Sequence, residues 1–275
     1  MCYFGKDIKI FINNLVVSYT DEGSVDAPVI IFIHGFPLNK SMWNKQMEAL
    51  KDNYRVIAYD IRGHGDSDAG NEEFSIELFV SDLLSLMNVL KIDKASLCGL
   101  SMGGYIALNA IENHPVRFEA LALSDTNCIA DPPQVKQKRM DTIESIREFG
   151  VEKYVDDSIM HLFAPESFTT HKKAISDVKE MILNTSEQSL SKTLHALAQR
   201  KATCSKLPEI TIPVLFLVGE EDQITPPEAS ELLNQKIKKS TMHIISHAGH
   251  LSNLENPDEF NEHIKTFFAT VYKKH

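Results

Sequence analysis

Apolar positions along residues 1–125 alternate between two periods. Short apolar runs, most of them holding β-branched residues, at 9–12, 15–20, 29–33, 55–59, 95–98 and 120–123 predict strands. Several of these runs, Val29-Ile30-Ile31-Phe32-Ile33 most clearly, are apolar at every position. A strand covered by helices on both faces reads that way, because neither face meets water. Between the fourth and fifth runs, Ile76, Phe79, Val80, Leu83, Met87 and Leu90 follow the spacing of an amphipathic helix, with Ser75 placed to cap it. Strands alternating with helices predict a mainly parallel sheet with right-handed crossovers. Only Asn13-Asn14 separates the first two runs, so they are expected to pair as an antiparallel hairpin at the sheet edge.

The pattern changes at residue 131. From there to 207 the strand signal disappears and helical stretches follow at 134–149, 152–163, 171–184 and 187–200. Asp131-Pro132-Pro133 is expected to start the first, a capping carboxylate followed by a preset φ. Strands resume at 213–218 and 242–246. Each precedes a helix, opened by Thr225-Pro226-Pro227-Glu228 or Asn256-Pro257-Asp258-Glu259, which read as capping boxes. No repeat or Gly/Ser linker interrupts the chain. The expected organisation is therefore an α/β body from 1–130 and 208–275, with an all-helical cap at 131–207 inserted after the sixth strand.

Composition narrows the classes. With 43% hydrophobic residues the chain has enough apolar side chain for a large core, which excludes disorder. Acidic residues outnumber basic ones 38 to 28, a formal charge of −10, which argues against nucleic acid or an anionic membrane as partner. The longest clean apolar run is far short of the ~20 residues that span a bilayer. Residues 1–20 lack a basic start followed by an apolar stretch of signal-peptide length. Cys2, Cys98, Cys128 and Cys204 are scattered without C-x-x-C spacing, so reduced thiols and a cytoplasmic location are expected.

Candidate chemistry concentrates at Gly99-Leu100-Ser101-Met102-Gly103, between a predicted strand and a predicted helix over 102–114. A G-x-S-x-G turn in that context is a nucleophile elbow: the chain reverses so tightly that the serine Oγ is pushed out above the sheet. The flanking glycines leave room for the neighbouring strand and helix, and the helix start aims free N–H groups where an oxyanion would form. A hydroxyl also needs a general base, itself oriented by an acid. In the architecture that carries this elbow the chain order is serine, acid, histidine. Gly219-Glu220-Glu221-Asp222 ends one later strand and Ser246-His247-Ala248-Gly249-His250 follows the next.

These motifs, with His34-Gly35-Phe36-Pro37 and Asp60-Ile61-Arg62-Gly63-His64-Gly65-Asp66-Ser67, make the chain similar to the α/β-hydrolase superfamily over essentially its whole length. The resemblance implies an eight-stranded, mostly parallel sheet with the cap after its sixth strand. It implies Ser101 as nucleophile, Asp222 as orienting acid and His250 as base, with the N–H groups of Phe36 and Met102 forming the oxyanion hole. His247, Glu221 and Asp125 are the competing base and acids. Asp60, Arg62 and His64 fall in what the family uses as a structural loop. Trp43, Met160, Phe163 and Phe168 are candidates to line a pocket.

The chemistry so implied is hydrolysis of a small carboxylic ester through an acyl-enzyme, with no metal and no cofactor. Cys98-Gly99-Leu100-Ser101-Met102-Gly103-Gly104 and Asn184-Thr185-Ser186-Glu187 resemble the 3-oxoadipate enol-lactonase branch, so a lactone is an alternative substrate. Carbon–carbon bond hydrolases, perhydrolases and a small-molecule receptor are further alternatives on the same frame. An anionic lactone needs a local cation, and Arg139, Arg147 and Arg200 are the cap's candidates. All three are expected to face solvent and pair with Glu144, Glu148 or Glu152.

Overall fold

In the computed structural model the described residues, 5–273, form one eight-stranded sheet with helices on both faces. Its strands are β1 (Gly5–Ile12), β2 (Leu15–Glu22), β3 (Val29–Ile33), β4 (Arg55–Tyr59), β5 (Ala95–Leu100), β6 (Phe118–Ser124), β7 (Val214–Gly219) and β8 (Ser240–Ile245). The body helices are α1 (Asn44–Leu50), α2 (Ile76–Val89) and α3 (Met102–Asn113). The segment between β6 and β7 is all helical: α4 (Pro133–Leu162), α5 (Ser167–Thr170), α6 (Lys172–Leu183) and α7 (Glu187–Gln199). Then α8 (Pro227–Lys236), α9 (Ser252–Glu255) and α10 (Pro257–Val271) complete the chain. No helix among the described residues is long and apolar enough to cross a membrane.

Across the sheet the order is β1-β2-β4-β3-β5-β6-β7-β8, and β2 alone runs against the other strands. The apolar run of β3 shows why its pattern is continuous. Ile31 and Ile33 join the core layer beneath α2 and α3, while Ile30 and Phe32 join the layer holding Trp43, Met47, Phe260 and Phe268. The register pairs Ile33 with Gly99 and Leu100 with Ser124, which brings the carboxyl ends of β3, β5 and β6 together. Connections depart in opposite directions on either side of β3, and an open α/β sheet binds ligands at such a switch point.

Three local expectations change. Ser75 caps α2 by accepting from the Leu78 N–H, and Asn256 accepts from Glu259 N–H, but Thr225 and Asp131 do not cap. Both neighbouring helices start with proline, which removes a donor a cap would serve. Asp131 instead takes Arg139 Nε and Arg200 Nη1, each at 2.6 Å, charge-assisted bonds stronger than a cap. The stretches at 134–149 and 152–163 are one helical run broken at Gly150, where φ is 84°. Finally, the reduced-thiol expectation is corrected: Cys128 and Cys204 form a disulfide. They sit 76 positions apart, where the chain leaves the sheet and where it returns, a proximity that spacing in sequence conceals. With it goes the reason for expecting a reducing compartment. Cys98 is free and buried, and Cys2 lies outside the described residues.

Candidate active site

Ser101 sits between β5 and α3 with φ 53° and ψ −111°, a conformation that an L-residue adopts only when its surroundings impose it. Those surroundings are specific. Its N–H donates to the Ser124 carbonyl, and its own carbonyl accepts from Gly104 N, Tyr105 N and Thr126 Oγ1. The turn is tight enough that a Cβ on Gly99 would lie 2.5 Å from the Gly103 carbonyl oxygen. A Cβ on Gly103 would lie 2.1 Å from that of Ile33. Only glycine fits at both places.

The loops after β7 and β8 open at the same edge because these strands are parallel neighbours. His250 Nε2 lies 2.9 Å from Ser101 Oγ, and His250 Nδ1 lies 2.9 Å from Asp222 Oδ2. The carboxylate fixes the tautomer: Nδ1–H donates to Asp222, leaving Nε2 to accept from the serine hydroxyl. Asp222 is held by Ile224 N, Thr225 N and Thr225 Oγ1. Thr225 therefore serves the acid rather than a helix; its spacing, three after Asp222, is the sequence signal for that turn. Burial disfavours the Asp222 charge, but His250 and the Thr225 bonds outweigh it and hold the carboxyl below its usual range. Burial likewise disfavours a charged His250, yet Asp222, then Asp125 and Glu255, raise its pKa above the ordinary value.

Among the described residues the N–H groups of Phe36 and Met102 have no protein partner, so both are available to an anion. A Cβ on Gly35 would lie 3.4 Å from Ser101 Cβ, so the loop leaving β3 runs directly beside the serine. His34 braces that loop: Nδ1–H donates to Gly35 O, and Nε2 accepts from Ile61 N–H. Burial lowers its pKa to about 4, so it stays neutral and keeps both bonds.

The other sequence candidates disperse. His247 is exposed and 3.5 Å from Glu166. Asp125 is wholly buried, accepting from Gly219 N and from the hydroxyls of Ser124 and Ser252. Burial and the nearby Asp222 push its carboxyl up to about 7. Asp60 binds Lys40 and Asp66 N, Arg62 forks onto Asp82, and His64 donates to the Arg62 carbonyl; all are buried scaffold. Two pocket expectations are corrected. Trp43 is a core residue packed against Phe32 and Phe260, and Met160, on the outer side of α4, is 60% exposed. Phe163 is buried edge-to-face with Phe168, its backbone against Gly249. The arginine expectation also changes. Arg147 is exposed, but Arg200 is buried over the Tyr105 ring, and none of the three pairs with the expected glutamates. Among the described residues no cluster of His, Cys, Asp or Glu is suited to a metal ion.

Comparison with known proteins agrees with this frame. The chain is 28% identical over 252 residues to 3-oxoadipate enol-lactonase 2 of Acinetobacter baylyi, covering 92% of each. An esterase from Thermogutta terrifontis, solved with malate bound, superposes with a TM-score of 0.92 at 31% identity, over 97% of this chain and 99% of that one. The enol-lactonase from Burkholderia xenovorans gives 0.89 at 27% identity, over 95% and 100%. Residues 28–257 match the family model described as the alpha/beta hydrolase fold, and with that sheet, that elbow and these relatives the chain belongs to the α/β-hydrolase family.

Proposed function

We propose that the protein is a serine hydrolase of small carboxylic esters, with Ser101 as nucleophile, His250 as base and Asp222 as its orienting acid. The observation that carries this reading is the unbroken chain from Asp222 through His250 to Ser101, both links at 2.9 Å. Ser101 Oγ attacks the carbonyl carbon as its proton passes to His250 Nε2. The oxyanion is held by the free N–H groups of Phe36 and Met102, next to the positive end of α3. The protonated His250 then delivers its proton to the leaving alcohol, and water, activated by the same imidazole, releases the acid. A steady-state assay with an activated phenyl ester tests this. Sustained turnover that falls to the uncatalysed level in Ser101→Ala, with a phosphonate label on Ser101 alone, is expected. A single burst followed by silence would identify a receptor, and label on another serine would overturn the assignment.

A second reading, an ester or lactone carrying a free carboxylate, is favoured by Arg139. Its Nε is held by Asp131, while its terminal nitrogens have no partner among the described residues. Its charge acts on the half-buried Tyr154, whose ring packs against Phe36 in the oxyanion loop. A guanidinium held along one edge presents its other edge to an anion. The Acinetobacter and Burkholderia enol-lactonases and the malate-bound esterase fit the same expectation.

A further inference from the structure

Glu255 is 2% exposed and belongs to neither the serine turn nor the acid loop. Its Oε1 accepts from Gly249 N–H at 2.8 Å, immediately before His250. Its Oε2 accepts from Ala164 N–H at 2.7 Å, in the cap turn after α4, and from Ser167 Oγ at 2.6 Å, at the start of α5. Three donors from two separate parts of the chain thus converge on one carboxyl group, and their bonds favour its charged form against the burial that pushes its pKa up. The backbones they come from are in contact: a Cβ on Gly249 would lie 2.6 Å from Ala164 N and 2.8 Å from the Phe163 carbonyl carbon. A surface cleft of about 260 Å3 runs along this seam, bordered by Glu166, His171, His247 and Glu255.

We propose that Glu255 is a positioning residue for the reaction, locking the loop that carries His250 to the cap turn at 163–167. The proposal rests on the reading of His250 as the base. A carboxylate gathering three hydrogen bonds holds its donors more tightly than a neutral acceptor would, and removing it leaves buried N–H groups unmatched. Seating of the cap is thereby coupled to the position of the imidazole. The carboxylate also acts on His250 through its charge, together with Asp222 and Asp125. The other titratable groups at the seam are Glu166 and His171 from the cap and His247 from the loop. His247 is exposed, so its charge is screened by water and acts weakly on the buried imidazole.

Glu255→Gln and Ser167→Ala test the lock. Three measurements are made on each: ester kinetics, NMR titration of the His250 imidazole, and hydrogen exchange at the Ala164 and Gly249 amides. Glu255→Gln should lower kcat about tenfold or more, with a smaller change in KM. It should also move the His250 titration to lower pH and speed exchange at both amides. Ser167→Ala keeps the charge, so it should speed exchange on both sides of the seam without moving the titration. A folded Glu255→Gln protein with unchanged kcat and titration overturns the proposal. If that variant does not fold, Ser167→Ala decides: faster exchange at Gly249 as well as Ala164 supports the lock, and faster exchange at Ala164 alone overturns it. Should the unmodified protein cleave no ester, the hydrolase reading fails, while titration and exchange still judge the lock.

Discussion

A strained serine and a paired histidine set the behaviour of the candidate site. The Ser101 backbone costs about 1–3 kcal/mol against a relaxed conformation, a cost that the surrounding hydrogen bonds offset. The base must be neutral to accept a proton, so kcat/KM is expected to rise with pH as His250 deprotonates. The net effect of its carboxylate neighbours is to raise its pKa, which puts that rise above the 6.5 of an unperturbed histidine. His250→Ala should abolish the catalysed rate and His247→Ala leave it nearly unchanged. Equal losses would show that the base is misassigned. Two acids also separate here. Asp222 keeps its charge and orients Nδ1–H, so Asp222→Asn should cut kcat by about 10⁴, the loss seen for the analogous change in a serine protease. Asp125 titrates near neutrality at about 7, and an amide keeps the shape of its neutral form, so Asp125→Asn should cost far less. A reversed ranking in the measured kcat values would make Asp125 the acid.

The arrangement of strands and cap helices determines what a substrate meets. Parallel neighbours bring the loops after β3, β5, β7 and β8 to one edge, because every crossover returns the chain to the same end of the sheet. Above that edge α4 bends at Gly150, and on its first half Arg139 is held by Asp131, whose other carboxylate oxygen takes Arg200. If Arg139 recognises a carboxylate, an anionic enol-lactone should exceed its neutral methyl ester in kcat/KM. Arg139→Ala should then remove most of that advantage, about tenfold or more for a charged hydrogen bond, while hydrolysis of the neutral ester changes little. Equal rates for both substrates in the unmodified enzyme would return the reading to neutral esters.

The path of the chain as a whole is closed by the Cys128–Cys204 bond, which joins the two stems of the helical segment. Thr203 N–H donates to the Cys128 carbonyl beside it, and the Asp131–Arg200 pair lies just above. A cross-link over a loop this long restricts the unfolded chain strongly, so removing it should lower stability by about 2–4 kcal/mol. Urea unfolding with and without a dithiol reductant measures this, with Cys128→Ser/Cys204→Ser as the matching variant. An unchanged midpoint would mean that the stems hold through their ion pairs and packing alone.

The strand runs, the hairpin at the edge, the helical insertion and the nucleophile turn were legible in the amino-acid order, since each depends on periodicity or glycine placement within a few neighbouring positions. Val29–Ile33 has the limits its apolar run defines, because a strand buried on both faces ends where its apolar residues end. Ser101, Asp222 and His250 could be singled out because they lie at strand ends in a known order. Their distances required the parallel pairing of β7 with β8 and of β5 with β6. Other outcomes depended on partners remote in the chain. Thr225 turned from a helix cap to a ligand of Asp222, and Trp43 from a pocket wall to core. Arg200 turned from solvent to a buried ion pair, and Cys128 from a free thiol to half of a disulfide. Glu255 carried no local signal at all, since its three donors come from two other segments. Local pattern determines where hydrogen bonds along the backbone can form. Which side chains share a buried charge, a ring or a sulfur bond is decided only when distant segments are packed together, because desolvation makes pairing obligatory there.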